Sequence, residues 1–339
     1  MQNTHAAPGL WTLAWRRLRA DRVAMAALAI VGAFMLLLAL SASGLVVSDW
    51  EEEVGINYAP PSFLADQPAR PADPAGSAGR VAPPPPNEFD PLADDLQALR
   101  AALPAAALAP PERRPTLPFG ADKWGHDVIK KTIKGGETSI VVGLVAALVA
   151  VSLGTLFGAV SGFYGGLVDD FFNWFYSIFT SIPSILMILT VAAVLQQKGV
   201  TTIVLILGLT GWTGPYRLIR AEYIKHKARE YVMAADAIGA SSWRKMFSHI
   251  FPNVSHVALV QMSILVVGFI KAEVILSFLG FGVPVGVVSW GSMLNEAQNE
   301  LILGKWWQLT AAATAMALLV TAFSLFTDAL RDALDPKVK

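Results

Sequence analysis

The residues in this chain able to do chemistry are few. Lys271 and Glu273 stand inside an otherwise apolar stretch. Ionisable groups at membrane depth are costly and usually face a cavity or a partner. Glu273 and Ser277 are therefore candidates for a polar pathway through a membrane, while an ion pair, or exposure at the outer end of the stretch, is the plainer reading of Glu273. A membrane-embedded enzyme would need paired carboxylates or His-rich motifs, and apart from Glu273 the apolar runs are nearly devoid of acid. None of the five histidines forms a metal-ligand cluster with another at recognisable spacing. With no cysteine there is no disulfide, thiolate metal site or cysteine nucleophile. No Gly-x-x-x-x-Gly-Lys-Ser/Thr loop cradles a phosphate, so this chain is expected to bind no cofactor and to do no covalent chemistry.

The other informative stretch is basic and runs from Arg217 to Asn253. Glu230 to Ala237 favours helix, and Pro252 is expected to halt regular structure before the next apolar run. Ala234, Ala235, Ala237, Gly239 and Ala240 make a patch of small residues flanked by Trp243, Met246 and Phe247. Such a helix suits insertion into a groove on a soluble partner. It equally suits an interfacial helix lying on a bilayer, held by its basic residues. The residues alone leave both readings open.

The elements that would carry these residues are long apolar runs. Of 339 residues 54% are hydrophobic and 15% charged, and the mean hydropathy is +0.50. A soluble domain of this size needs more charge to cover its surface, whereas about 18 apolar residues suffice to cross a bilayer. The expected class is an all-α polytopic membrane protein with six transmembrane helices, at about Val23–Val47, Thr138–Ser161, Phe172–Leu195, Thr201–Ile219, Asn253–Leu279 and Trp307–Ala329. The first run follows a basic stretch like a signal peptide, but it is longer than a signal core and is read as a retained helix. In the second, Gly154-x-x-x-Gly158-x-x-x-Gly162 is a candidate face for close helix packing.

Charge sets the orientation. Arg16, Arg17, Arg19 and Arg22 precede the first span. Arg217, Arg220, Lys225, Lys227, Arg229, Arg244 and Lys245 fill the loop between the fourth and fifth, and Arg331, Lys337 and Lys339 end the chain. The short loops on the other side carry only Lys198 and Lys305. The positive-inside rule then puts both termini in the cytoplasm. The organisation that follows is a cytoplasmic N-terminus (1–22), a first span (23–47), an extracytoplasmic Pro-rich loop (48–137), a five-helix core (138–329) with a docking helix at about 230–248, and a cytoplasmic tail (330–339). Within the loop, Pro83–Pro86 points to extended chain, and Asp90–Ala109 has leucines at helical spacing. Glu53–Pro86 reads equally as a disordered linker or an ordered lobe. Asp169 and Asp170, after the Gly165-Gly166 turn, read as a solvated turn or a partner contact. Trp212, Trp306 and Trp307 suit an interfacial aromatic belt.

The basic loop resembles the segment that defines importer-type ABC transporter permeases, with the pattern Glu-Ala-Ala, three residues, Gly, then Leu-Pro thirteen residues on. Ala234, Ala235, Gly239 and Pro252 match it, while Met233 stands for the usual glutamate and Phe251 for the leucine. Phe119-Gly-Ala-Asp122-Lys-Trp-Gly125-His-Asp127-Val is similar to the Leu-Gly-Thr-Asp-x-x-Gly-Arg-Asp-Val signature of dipeptide/oligopeptide permeases of the C-subunit type. Gly162–Asp169, Glu230-Tyr-Val, His249–Asn253, Leu276–Gly282, Ser289-Trp-Gly291 and Leu330–Pro336 resemble further motifs of that group, in the same order. The resemblance implies a coupling helix, with Glu230, Met233, Ala234, Ala235, Gly239, Ala240 and Trp243 docking on an ATPase subunit. It implies as partners a homologous B-type permease, two ATPase subunits that bind the ATP and Mg, an extracytoplasmic solute-binding protein and membrane lipid, with no nucleic acid. The implied setting is a bacterial inner membrane, and the implied cargo is peptide. Nickel, a peptide-like antibiotic or a small glycoside are alternative cargoes on the same architecture. An ATPase-independent channel or secondary transporter is the alternative of another class, and it predicts inverted repeats or broken helices, neither of which the sequence displays.

Overall fold

The computed structural model describes residues 10–64, 113–284 and 286–334. The four prolines, the Asp90–Ala109 stretch and the last residues of the tail, with Lys337 and Lys339, lie outside the described residues. The chain divides into two compact units. One joins the residues through Trp50 with those from Ile129 onward, and the other is Glu51–Val128.

In the smaller unit, the described residues make one 3-10 turn, Ser62–Leu64, and isolated bridges rather than strands. The bridges pair Glu53 with His126, Gly55 with Arg114, Pro61 with Leu117, and Ala121 with Asp127. Ala59, Leu117 and Ala121 form a small buried core. Residues 53–64 are thus ordered against 114–127, which answers the linker-or-lobe question for that part of the loop. Asp122 holds the turn after it, because its Oδ1 accepts from the Trp124 and His126 amides at 2.8 and 3.0 Å.

The larger unit is helical. A basic helix α1, Leu10–Ala20, is followed by α2, Arg22–Ala42, whose start is capped by the Asp21 carboxylate on the Val23 and Ala24 amides. Next come α3, Val128–Tyr164, and a sharp elbow at Gly165 and Gly166, both left-handed with φ of 72° and 54°. Helix α4, Gly166–Thr180, and α5, Ser184–Leu195, meet at a bend of 82°. Helix α6, Val200–Thr210, is short, and α7, Thr213–Lys227, leads through a two-residue corner to α8, Glu230–Ala237. Helix α9 runs over Ser242–Phe278 with a π-helical turn at Lys245–Ile250. Helices α10, Trp290–Ile302, and α11, Trp307–Leu334, complete the chain.

Among the described residues, four helices are long and apolar enough to cross a membrane: α2, α3, α9 and α11. The bent pair α4–α5 makes a fifth if it is one span. Two expected spans are therefore not continuous. Phe172–Leu195 is broken at Pro183, whose ring removes a backbone donor, and Thr201–Ile219 is broken at Gly211-Trp212. A Cβ on Gly211 would come within 2.3 Å of the Phe269 ring, so close approach to α9 fixes a glycine at the break. Pro252 does not halt structure before the Asn253–Leu279 run. Helix α9 continues through it directly after the π-helical turn Lys245–Ile250, where the regular hydrogen-bond ladder is already interrupted. Helix α10 lies where the sequence predicts a loop between two spans, and it is capped by reciprocal Ser289 and Ser292 bonds.

The core joins α2, α3, α5, α6, α9, α10 and α11 through Ile140, Ala146, Ala150, Ile188, Leu207, Val266, Ile270, Trp290 and Leu319, among others. The glycine ladder of α3 is seated against α7. Cβ atoms on Gly154, Gly158 and Gly162 would stand 2.6, 2.8 and 2.7 Å from the carbonyls of Trp212, Tyr216 and Arg220. Trp212 is no interfacial anchor. It is buried and ringed by Phe157, Phe175, Phe179 and Tyr216 at centroid distances of 5.3 to 5.5 Å. Trp307 is buried as well, and only its neighbour Trp306 is half-exposed.

Candidate functional site

Two polar centres and one exposed segment account for the residues singled out above. The first centre surrounds Glu273, which is 0% exposed. Its carboxylate accepts hydroxyl bonds from Ser139 of α3 and Ser277 of α9, both at 2.7 Å. Ser139 Oγ in turn accepts the Trp290 amide at 3.2 Å, and the Trp290 indole donates to the Thr132 carbonyl at 2.9 Å. Neither plain reading of Glu273 holds, since it is not exposed and its oxygens meet hydroxyls, while Lys271 is exposed. The motif residues around it explain the geometry. A Cβ on Gly291 would sit 2.5 Å from the Ser277 side chain, and one on Gly282 closer still, so small residues let the start of α10 seat on the end of α9. Replacing Glu273 by leucine takes the acceptor from the buried Ser139 and Ser277 hydroxyl groups, at about 1–3 kcal/mol for each orphaned donor. The expected result is a clear fall in the melting temperature of the purified protein for Glu273→Leu and a smaller one for Glu273→Gln, read by intrinsic fluorescence.

The second centre ties the end of α3 to α4 and α7. Arg220 donates two bonds to the Asp169 carboxylate, each 2.6 Å. Ser161 also donates to Asp169, and its Oγ lies 3.1 Å from the Tyr216 hydroxyl. Asp169 is thus neither a solvated turn residue nor a free contact for a partner, whereas Asp170 is exposed. The sequence does not reveal this pair, because fifty-one positions separate its members and the motif that ends at Asp169 says nothing of Arg220.

The exposed segment is α8 with the corner after it. Val232 and Ala235 are buried, in a cluster that Val232 shares with Phe163, Tyr223, Met246 and Ile250. On the opposite side Glu230, Met233, Ala234 and Ala237 are exposed at i, i+3, i+4 and i+7. Gly239 ends the helix in a left-handed conformation, φ 77°. Its amide bonds to the Asp236 carbonyl at 2.9 Å and the next amide, of Ala240, to that of Ala235 at 3.0 Å, which is the Schellman arrangement. Ala240 is half-buried, and Trp243 is exposed with its ring 4.3 Å from that of Phe247. The segment expected at 230–248 is thus two pieces. Helix α8 ends at Ala237, and Ser242 onward is the beginning of α9. The π turn of α9 is fastened at Met246, whose carbonyl takes both the Phe251 amide and the Tyr223 hydroxyl, the latter at 3.1 Å. An Asp236–Lys245 ion pair at 2.5 Å joins the two pieces. At the α7–α8 corner, burial pushes the His226 imidazole below its ordinary range, with Lys225 and Arg229 adding to burial and Glu222 opposing it. Its Nδ1 lies 2.8 Å from the Tyr231 hydroxyl.

Nothing crowds Gly239, so only its backbone conformation requires glycine. Gly239→Ala puts a Cβ in the left-handed region at a cost of about 1–2 kcal/mol. The expected outcome is faster proteolysis at the α8–α9 corner with the melting temperature of the whole chain little changed.

These elements define a helical protein with several membrane-spanning lengths and one exposed helix held between two of its long segments. Residues 154–339 match the family described as "Binding-protein-dependent transport system inner membrane component", and residues 9–61 match the "N-terminal TM domain of oligopeptide transport permease C". Among similar proteins is the dipeptide transport system permease protein DppC of Bacillus subtilis, 36% identical over 65% of this chain and 69% of that one. The oligopeptide transport system permease protein OppC of the same organism is also 36% identical, over 65% of this chain and 72% of its own length. The peptidoglycan transport system permease protein YejE of Agrobacterium fabrum is 34% identical over 65% and 57%. The chain belongs to the binding-protein-dependent transport permeases, the membrane subunits of ABC importers.

Proposed function

We propose that this chain is the C-type half of a peptide importer's translocation pathway, paired with a homologous B-type permease and driven by two ATPase subunits that carry the ATP and Mg. An extracytoplasmic binding protein delivers the cargo. Relatives named for dipeptide, oligopeptide and peptidoglycan transport favour a peptide or peptide-bearing cargo. Six crossings fit this role, with α4–α5 as one bent span and α6 plus the first turns of α7 as another. The basic segments then lie in the cytoplasm together with both termini. Helix α8, with the corner and the start of α9 after it, is the part that meets the ATPase, and Glu230, Met233, Ala234, Gly239 and Trp243 are the accessible docking residues there. The observation that carries this reading is an exposed helix, capped at Gly239 and fastened to α9, in a chain of this family. Movement of the ATPase pair would pass through α8 into α7 and α9, whose repacking alternates access between the two sides.

The two broken helices favour the rival class, because secondary transporters bind cargo where helices are interrupted. Membership in the binding-protein-dependent family outweighs that feature. Purification in mild detergent from cells expressing every candidate partner discriminates the two. The importer reading predicts recovery of this chain with an ATPase and a second permease. Recovery as an isolated chain that still transports would overturn it.

A further inference from the structure

The depth of α8 relative to the membrane follows from its supports. Glu273 of α9 is level with Ser139 of α3, to which it is bonded, and Lys134 and Glu137 stand just before Ser139. The outer edge of the hydrocarbon therefore falls near this level. About 20 helical residues cross its roughly 30 Å, which carries α9 inward from Glu273 to Asn253. The preceding stretch, Ser242–Pro252, then extends on the order of 15 Å beyond the hydrocarbon, and it bears Arg244, Lys245 and His249. Helix α8 is fixed to that extension by the Asp236–Lys245 pair and by Val232 packed with Met246 and Ile250. A helix pinned there stands clear of lipid.

What it presents is nevertheless apolar. Met233 is 55% exposed, Ile238 83% and Trp243 64%, with Ala234 and Ala237 between them. The Asp236 charge is matched by Lys245, and Glu230 stands at the start of the helix. Met233 on α8, Ile238 just past its end and Trp243 at the start of α9 make an apolar surface clear of the bilayer, which suits a segment that enters a groove. Position 233, acidic in the pattern this loop resembles, carries no charge here.

Resting on the docking role proposed above, we infer that the ATPase groove receiving α8 is lined by apolar side chains opposite Met233 and Ile238, with no basic residue there, and that this match selects which ATPase the permease accepts. Because the chain has no cysteine, Met233→Cys and Ile238→Cys can each carry one environment-sensitive fluorophore in the full complex, reconstituted in lipid nanodiscs. Without ATPase the label is expected to be open to aqueous iodide. Adding ATPase is expected to shift its emission to the blue and cut quenching about tenfold. Met233→Glu should weaken ATPase retention about tenfold, since a charge would enter an apolar groove unpaired, and Met233→Leu should retain it. Protection without a blue shift, or undiminished retention by Met233→Glu, overturns the apolar groove and leaves the docking role standing. Labels that never become protected overturn the docking role itself. Labels shielded from iodide before ATPase is added mean that α8 lies in the bilayer, which overturns the inference.

Discussion

Gly158→Leu is expected to abolish recovery of folded protein. The α3 ladder places backbone against backbone, since a single Cβ at Gly158 would already stand 2.8 Å from the Tyr216 carbonyl and 3.0 Å from the Arg220 amide. Neither is the mobile end of a side chain, so relief requires α7 to move away from α3. That movement would also draw Ser161 from Tyr216 and unseat Trp212 from its aromatic ring. Overpacking a core by methylenes costs about 1–3 kcal/mol, and a leucine against main chain lies at or above the top of that range. Gly158→Ala should lower the melting temperature by about 5 °C. The leucine variant should give no monodisperse peak on size exclusion in detergent. A leucine variant that elutes and melts like the wild type would show that the ladder does not carry the α3–α7 contact.

Arg220→Ala carries the second large effect. The pair is partly exposed, 28% and 17% for the two side chains, so the roughly 3–5 kcal/mol for breaking a buried pair is discounted to about 2 kcal/mol. The mechanical effect exceeds the energetic one, because Asp169 belongs to α4, Ser161 to α3 and Arg220 to α7, the helix that leads into α8. Losing the clasp should reduce the stimulation of ATP hydrolysis by loaded binding protein while ATPase subunits stay bound. Asp169→Asn/Arg220→Ala together should harm stability less than the sum of the two single changes, the signature of a direct pair. Additive losses would mean that the two side chains act independently.

Much of this arrangement was legible in the sequence, and the parts that were not have identifiable causes. Glycines four residues apart announce a packing face, and Gly154, Gly158 and Gly162 found the partner that such a pattern implies. Small residues with Gly239 foretold α8, whose length and cap are local properties. The breaks at Pro183 and Gly211 were read through, because apolar content continues across them and only tertiary crowding by Phe269 explains the second. Pro252 misleads in the opposite direction, since α9 carries on through it after the π turn at Lys245–Ile250. Ser139 reaches Glu273 from 134 positions away and Arg220 reaches Asp169 from 51, which no local pattern encodes. Trp212 reads as a boundary residue by its position at the end of an apolar run, but it is buried because Phe157, Phe175, Phe179 and Tyr216 converge on it.

Peptide uptake into proteoliposomes tests the central claim most directly. This chain, its B-type partner and the ATPase pair would be reconstituted with ATP inside and a binding protein loaded with labelled peptide outside. The account predicts accumulation that needs all of these components and stops when α8, residues 230–237, is deleted, with the ATPase lost from the membrane. Accumulation that persists without the ATPase, or survives that deletion, would contradict it.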